Sequence, residues 1–386
     1  MVTSTPRITN RVNPGSRDPT TNDRYEACLS GWLTIVWQYP TACGMALPMD
    51  PHGFPTSLSE FQWVFPTDDA CAKYLEALRW PDGFACPKCD QKGEPYRFGS
   101  RSSVVLRCRQ CKVATSLTAG TVMRSSHTPL SVWFWGAYLV TTQTPGQSAL
   151  QFQRQLGLSR YETAFQILHK LRSGMIRPER DGIGGQYPVE VDECMVGGRN
   201  RGGGKGKHAM ALVVGAVEVR LRKEVERRTA KDRQAHGGGN PLKKPVYAGR
   251  LRLRVAANRG RDLTRFVTES VVQGSRVRTD GWRGYNDLTG LGYNHEPLAL
   301  VGDPERAENH LPMIHLVFSN LKTWMLGTHH GRIEQKHLQA YLNEYAFRFN
   351  RRFYPMTAFN SVLGLAAHAT PPTYASLYSG EWIHPT

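Results

Sequence analysis

Two cysteine pairs, Cys86-Pro87-Lys88-Cys89 and Cys108-Arg109-Gln110-Cys111, constrain this chain more than any other feature. Each CxxC supplies two neighbouring thiolates, and four thiolates suit the tetrahedral shell of Zn2+. Tyr96-Arg97-Phe98 and Val104-Val105-Leu106-Arg107, between the pairs, read as strands joined across Gly99 to Ser103. The spacing therefore predicts a zinc ribbon with a structural Zn2+ on Cys86, Cys89, Cys108 and Cys111. Disulfides would need an oxidising compartment, and a redox motif would be a single CxxC beside a βαβ pattern. Cys28, Cys43, Cys71 and Cys194 show no paired pattern, which fits a reducing cytoplasm. A ribbon of this kind serves nucleic acid, substrate and protein partners alike, so it does not name a function.

Charge narrows the choice. Lys and Arg number 49 against 32 Asp and Glu, a formal net charge of +17 over 386 residues. Such an excess, concentrated in clusters, favours a polyanionic partner. No run of eighteen apolar residues occurs, so nothing in the pattern spans a membrane. Residues 1–48 differ from the rest. They open on a Thr-, Arg-, Asn- and Pro-rich stretch without periodicity and contain one short apolar run, Leu29 to Tyr39, and are read as a disordered or appended segment.

Farther along, Ala70 to Leu78 carries apolar residues at helical spacing behind the candidate caps Thr67 and Asp68. Pro129 to Thr142 reads as a buried helix. Ser148 to Ser159 and Tyr161 to Arg172 form two helices around a glycine turn, a helix-turn-helix-like pattern that in this basic context is expected to contact DNA. From Tyr187 the period becomes strand-like. Strands are expected at Pro188 to Glu193, Ala211 to Val217, Leu251 to Ala256 and Arg276 to Gly281, with a helix from Asp262 to Val272. This order predicts a mixed α/β sheet flanked by helices. Gly197 to His208 and Arg220 to Lys244 read as flexible basic loops, and Arg199, Arg201, Lys205 and Lys207 are candidate phosphate contacts.

Two carboxylates stand out. Asp192 lies inside the apolar run Val189-Glu190-Val191-Asp192-Glu193, and Asp280 ends a later strand. A carboxylate in such a strand is costly unless it is paired or bound to a cation. Two of them converging would suit Mg2+, which prefers carboxylate oxygen, and would suit metal-assisted phosphoryl transfer.

Val191-Asp192-Glu193 with Val196-Gly197-Gly198, then Thr279-Asp280-Gly281-Trp282-Arg283-Gly284-Tyr285, then Lys336 to Arg352, together resemble the zinc-ribbon class of bacterial insertion-sequence transposases. The resemblance spans about residues 50–365. It implies a ribonuclease-H-like domain of the DDE type, two divalent ions (Mg2+ or Mn2+), and cutting and joining of double-stranded DNA at transposon ends and target. It also implies a homo-oligomer on DNA and a cytoplasmic, nucleoid-associated location. The organisation expected is an appended segment at 1–48, a helix and ribbon at 49–125, and a helix-turn-helix-like segment at 126–182. The catalytic domain follows at 183–355 and a tail at 356–386.

The chain departs from this class at the third acidic position. The class places a helical carboxylate, or Asn, seven residues before a Lys. Here Lys322 matches the basic position and His315 takes the acidic one. Seven residues are two helical turns, so both would face one site. Three readings of His315 stay open: metal ligand, general acid–base, or mark of lost activity. Imidazole suits Mn2+ better than Mg2+. Glu308 and Asn320 are weaker substitutes. Arg348, Arg351 and Arg352, interleaved with Phe347, Phe349 and Phe353, are expected to reach DNA while the rings pack inward. His329-His330 is assigned no catalytic role. A DNA-binding regulator that keeps this fold without catalysis is the competing function.

Overall fold

A computed structural model describes residues 55, 57–99, 104–176, 180–197, 210–221, 246–298, 310–330, 333–369 and 372–379. The first described helices are α1 (Leu58–Val64) and α2 (Asp68–Arg79). Thr67 caps α2 by accepting from the Ala70 N–H. Asp68, the other candidate cap, accepts instead from the Ser131 N–H at 2.8 Å and so caps the next helix, α3 (Leu130–Thr142). Between them lies a three-stranded antiparallel ribbon, β1 (Tyr96–Gly99), β2 (Val104–Arg107) and β3 (Ala114–Ser116).

Helices α4 (Ala149–Gln155) and α5 (Tyr161–Ser173) follow, with Gly157 at φ +62° turning the chain between them. Ala164, Phe165, Ile167, Leu168, His169, Leu171 and Arg172 of α5 are buried, while Glu162, Gln166 and Lys170, four residues apart, leave a partly open stripe along the helix.

The second unit is a five-stranded sheet in the order β6 (Val246–Ala256), β5 (Ala211–Leu221), β4 (Val189–Val196), β7 (Arg276–Thr279), β8 (Asn294–Pro297). The pairs β4–β5 and β5–β6 are antiparallel, whereas β4–β7 and β7–β8 are parallel. One face packs on α7 (Pro312–His329) and α8 (Gln335–Asn350) through Val213, Leu253, Ile314, Phe318 and Leu342. The other face packs on α6 (Arg261–Ser270) and the 3-10 turn Arg283–Leu288 through Val191, Val214, Phe266 and Tyr285. The edge strand β6 would expose unpaired backbone. Helix α8 covers it: Gln339 accepts from the Val255 N–H, and Asn350 accepts from the Leu251 N–H while donating to its carbonyl.

The segment after 355, expected as a tail, contains α9 (Pro355–His368) and α10 (Tyr374–Ser379). Phe359, Val362, Leu363 and Ala366 of α9 complete the core formed by Phe61, Phe134, Phe152 and Leu168. The apolar spacing of α9 thus finds its partners some two hundred residues earlier in the chain. A buried ion pair, Arg172 to Glu344 at 2.7 Å, ties α5 to α8.

Beside that pair, His169, His329 and His337 gather where α5, α7 and α8 meet. The His169 and His337 ring centroids are 5.1 Å apart, and His329 lies 4.0 Å from Tyr341. His329 is therefore a half-buried ring packed on Tyr341. Burial, reinforced by the Arg172 charge, pushes its imidazole down to about 3. The unfolded ring takes a proton near pH 6.5 that the folded one refuses, so stability is complete above that pH and is lost as pH falls toward 3. In urea unfolding, the wild-type chain should lose roughly 1–2 kcal/mol more than His329→Phe between pH 7 and pH 5. Equal losses would remove His329 from the acid response, since groups common to both chains cancel.

Candidate active site and zinc centre

The four ribbon cysteines meet. Cys86 and Cys111 sulfurs lie 3.5 Å apart, Cys89 and Cys108 sulfurs 3.7 Å, and all four fall within 4.8 Å of one another. Ligands at 2.3 Å from a tetrahedral Zn2+ stand about 3.8 Å apart, so the quartet fits that ion. Each knuckle ends on a left-handed residue, Asp90 at φ +53° and Lys112 at φ +59°, which turns the chain back toward the sulfurs. Backbone N–H groups point at them as well. The bond from Lys88 is the largest of the influences that bring the Cys86 thiol down to about 6, toward the thiolate a metal needs. Leu106 and Phe84 make a small core beneath.

Asp192 and Asp280 are brought together by register. On the parallel pair β4–β7, Val189 stands beside Val277 and Glu190 beside Arg278. That offset runs toward Asp192 on β4 and Asp280 just past β7, and the charge of Asp192 reaches the Asp280 carboxyl. Asp192 accepts from the Glu193 N–H at 2.8 Å. Asp280 accepts from the Trp282 N–H at 2.9 Å across Gly281, whose φ of +78° permits the turn. Burial and then the charge of Asp192 hold the Asp280 carboxyl above its usual range.

Helix α7 crosses over this pair. His315 Nε2 lies 3.2 Å from Asp192 Oδ2. Lys322, exposed two turns on, comes within electrostatic range of Cys194, which shares a strand face with Asp192. The placement of α7 follows from a residue that sequence reasoning missed. Glu190, fully buried on β4, accepts from the N–H groups of Met313 at 2.7 Å and Ile314 at 2.9 Å, satisfying the orphan donors at the N-terminus of α7. Burial raises its carboxyl to about 7. The only signal for it was its place two residues before Asp192, on the same strand face. Glu193 points the other way, accepting from the Tyr285 hydroxyl at 2.8 Å with Arg259 at 3.5 Å. Its carboxyl is raised by burial, with Asp192 and Asp280 adding repulsion.

Aspartate oxygens suit a hard divalent ion, and the imidazole adds a donor that Mn2+ accepts more readily. Among the described residues the cysteine quartet is the one group of three or more such ligands gathered within 4.8 Å, so this second arrangement is looser.

Of the residues expected on DNA, Arg199, Arg201, Lys205 and Lys207, together with the substitute Glu308, lie outside the described residues. Asn320 is exposed on α7. Arg348 is an interior strut rather than a free phosphate contact. It pairs with Glu344 at 3.3 Å, donates to the carbonyls of Gln143, Thr144 and Pro145, and is 12% exposed. Arg351 lies over Phe347 at 3.9 Å, and Arg352 over Phe349 at 4.0 Å, with a bond to the Ala248 carbonyl. Among the described residues, no helix is long and apolar enough to cross a membrane.

Comparison with known families gives two matches. Residues 66–114 match the transposase zinc-ribbon domain, and residues 183–350 match the ISXO2-like transposase domain. No curated protein matches the chain.

Replacing Cys108 and Cys111 by Ser should abolish stoichiometric zinc in metal analysis and melt the ribbon, because structural Zn2+ supplies on the order of 10 kcal/mol to such modules. Full zinc content in the double variant would refute the quartet.

Proposed function

Since the chain belongs to the zinc-ribbon insertion-sequence transposases, we propose that it binds the ends of its own element and performs metal-dependent DNA cleavage and strand transfer there. The observation that supports this reading most is the β4–β7 register that runs toward Asp192 and Asp280, with His315 of α7 in contact with Asp192. In the first step water attacks a phosphodiester at the transposon end, and in the second the freed 3′-hydroxyl attacks target DNA.

Asp192 and Asp280 would hold the divalent ions, Mg2+ or Mn2+, that stabilise the attacking and leaving oxygens when bound. The chain supplies the rest. Backbone N–H groups fix both carboxylates, so little reorganisation is left for the moment of reaction. His315 orients Asp192 through its Nε2 contact and offers a nitrogen donor at the third position. Lys322 presents a cation toward the phosphate approaching along the same helix face. Glu190 acts through α7 as a positioning residue.

The ribbon is the module proposed to hold the ends. Strand β1 is exposed throughout, and Arg109 and Lys112 lie over Tyr96 at 4.9 and 5.5 Å, giving a basic and aromatic surface of the kind that meets nucleic acid. Bringing two ends together calls for more than one copy, so a homo-oligomer on DNA is part of the reading, as is a nucleoid-associated, cytoplasmic location. Asp192, Asp280 and Lys322, all present at their family positions, favour the enzyme over a regulator without catalysis, whereas His315 is the feature that speaks for the regulator.

In a cleavage and joining assay with the element's flanking ends, Asp192→Asn and Asp280→Asn should each lower strand cleavage by about a thousandfold or more, while end affinity stays within about threefold. Undiminished cleavage by either variant would refute the metal assignment. His315→Glu should keep or raise Mg2+-dependent cleavage relative to Mn2+. A variant dead with both ions would give the imidazole a role of its own.

A further inference from the structure

The site described so far leaves Trp282 without a use, although it stands two residues past Asp280. A single exposed apolar ring is ordinary on a protein surface. What sets this one apart is how firmly it is held while 42% of it stays open. Its main-chain N–H donates to Asp280 Oδ1 at 2.9 Å, and its Nε1 donates to the Arg259 carbonyl at 3.0 Å. A Cβ added at Gly284 would stand 2.4 Å from that same carbonyl and 3.2 Å from the indole Cδ1, so the ring edge is packed against the chain there. The Arg259 guanidinium lies 5.8 Å from the ring centroid and 3.5 Å from Glu193, the residue that follows Asp192.

An indole locked in this way has its one donor satisfied, so what it presents outward is a flat π surface. Rings fixed in place beside cations are what single-stranded nucleic acid stacks on, because every base has a π face. The neighbouring chemistry agrees. Arg261 and Arg283, both exposed, border an open cleft of about 460 Å³ that begins at Gly284 and also takes in Asp287. Guanidinium forks of this kind match phosphate oxygens. Position then sets which base is meant. A nucleotide whose phosphate lies at Asp280 carries its base one sugar away, and Trp282 is tied directly to that carboxylate. A paired base hides both faces in the duplex stack, so the base concerned is an unpaired one, at a cut or frayed end.

We propose that Trp282 is a stacking platform for an unpaired nucleobase next to the scissile phosphate, with Arg259 holding the ring in the frame of both aspartates. The proposal rests on the transposase reading for the identity of the strand. It adds a base-binding subsite to a site otherwise built for phosphate and metal. Base identity is tolerated there, since stacking reads no hydrogen-bond pattern. The alternative is that the indole only closes the turn after Asp280 over the Arg259 carbonyl.

The experiment uses the full chain carrying Asp192→Asn, without divalent ions, so that binding is read apart from chemistry. The probe is a fluorescein-labelled, pre-cut duplex of the element's end whose last nucleotides at the cut are unpaired. At one of those nucleotides an abasic substitution should weaken binding by the parent about tenfold. Trp282→Leu, which keeps bulk without a π face, should bind the intact probe about tenfold more weakly and the abasic probe within about twofold of the intact one. Trp282→Phe should keep the base-dependent difference to within about threefold, although it loses the bond to the Arg259 carbonyl. Losses that add at every nucleotide would overturn the proposal, as would a fallen melting temperature in Trp282→Leu with the base-dependent difference intact. Should Trp282→Leu not fold, 5-iododeoxyuridine at that nucleotide decides the matter on the parent chain. A photocrosslink to Trp282, found by peptide mass, is the expected result, and its absence would overturn the proposal. If the parent bound no element end, the transposase reading would have failed separately. A homothymidine single strand would then still test the platform, by binding the parent about tenfold more tightly than Trp282→Leu, and equal affinities, or none, would overturn it.

Discussion

The parallel pairing of β4 with β7 is the constraint on which the site depends. Parallel strands cannot be joined by a tight turn, so the chain must leave β4, build β5, β6 and α6, and return before Asp280 can stand beside Asp192. A shift of one residue in that register would turn one aspartate to the other face of the sheet. The register is held by burial on both sides: Val191 and Val277 sit in one core, Cys194 and Val213 in the other. Burial raises the Asp280 carboxyl, and the charge of Asp192 adds to the shift.

A second dependency runs through buried charge. Glu190 serves as an N-cap for α7 from a different element, and so transmits the position of β4 to the helix bearing His315 and Lys322. Arg172 and Glu344 similarly join the helical segment to the sheet unit. A buried pair of this kind adds little net stability over apolar residues, but breaking one partner is severe, so it fixes geometry more than it strengthens the fold. Helix α9 closes the same assembly from the far end of the sequence, packing Phe359 edge-on or tilted against Phe61, Phe65 and Phe134.

Much of this was legible locally. The ribbon strands, α2, α3, the strands β4 to β7 and α6 all fall near the positions that periodicity and turn residues indicated, because each pattern is written within a dozen residues. The two helices of the helix-turn-helix-like pair form where the pattern indicated, as α4 and α5, but amphipathicity in α5 did not show that α3, α8 and α9 would supply the partners of its buried residues. Arg348 misled for a related reason. An arginine at a helix end looks solvent-bound until three carbonyls of a distant loop are found around it. The tail at 356–386 was passed over because the partners of α9 lie far away in the chain.

By itself, the amino-acid sequence determined the cysteine quartet and the strands and helices whose patterns are local, since spacing and alternation are properties of neighbouring residues. Only the tertiary structure decided that Glu190 caps α7 and that His315 reaches Asp192. Those facts depend on which distant surfaces meet, and contact across folded layers leaves no local period to read.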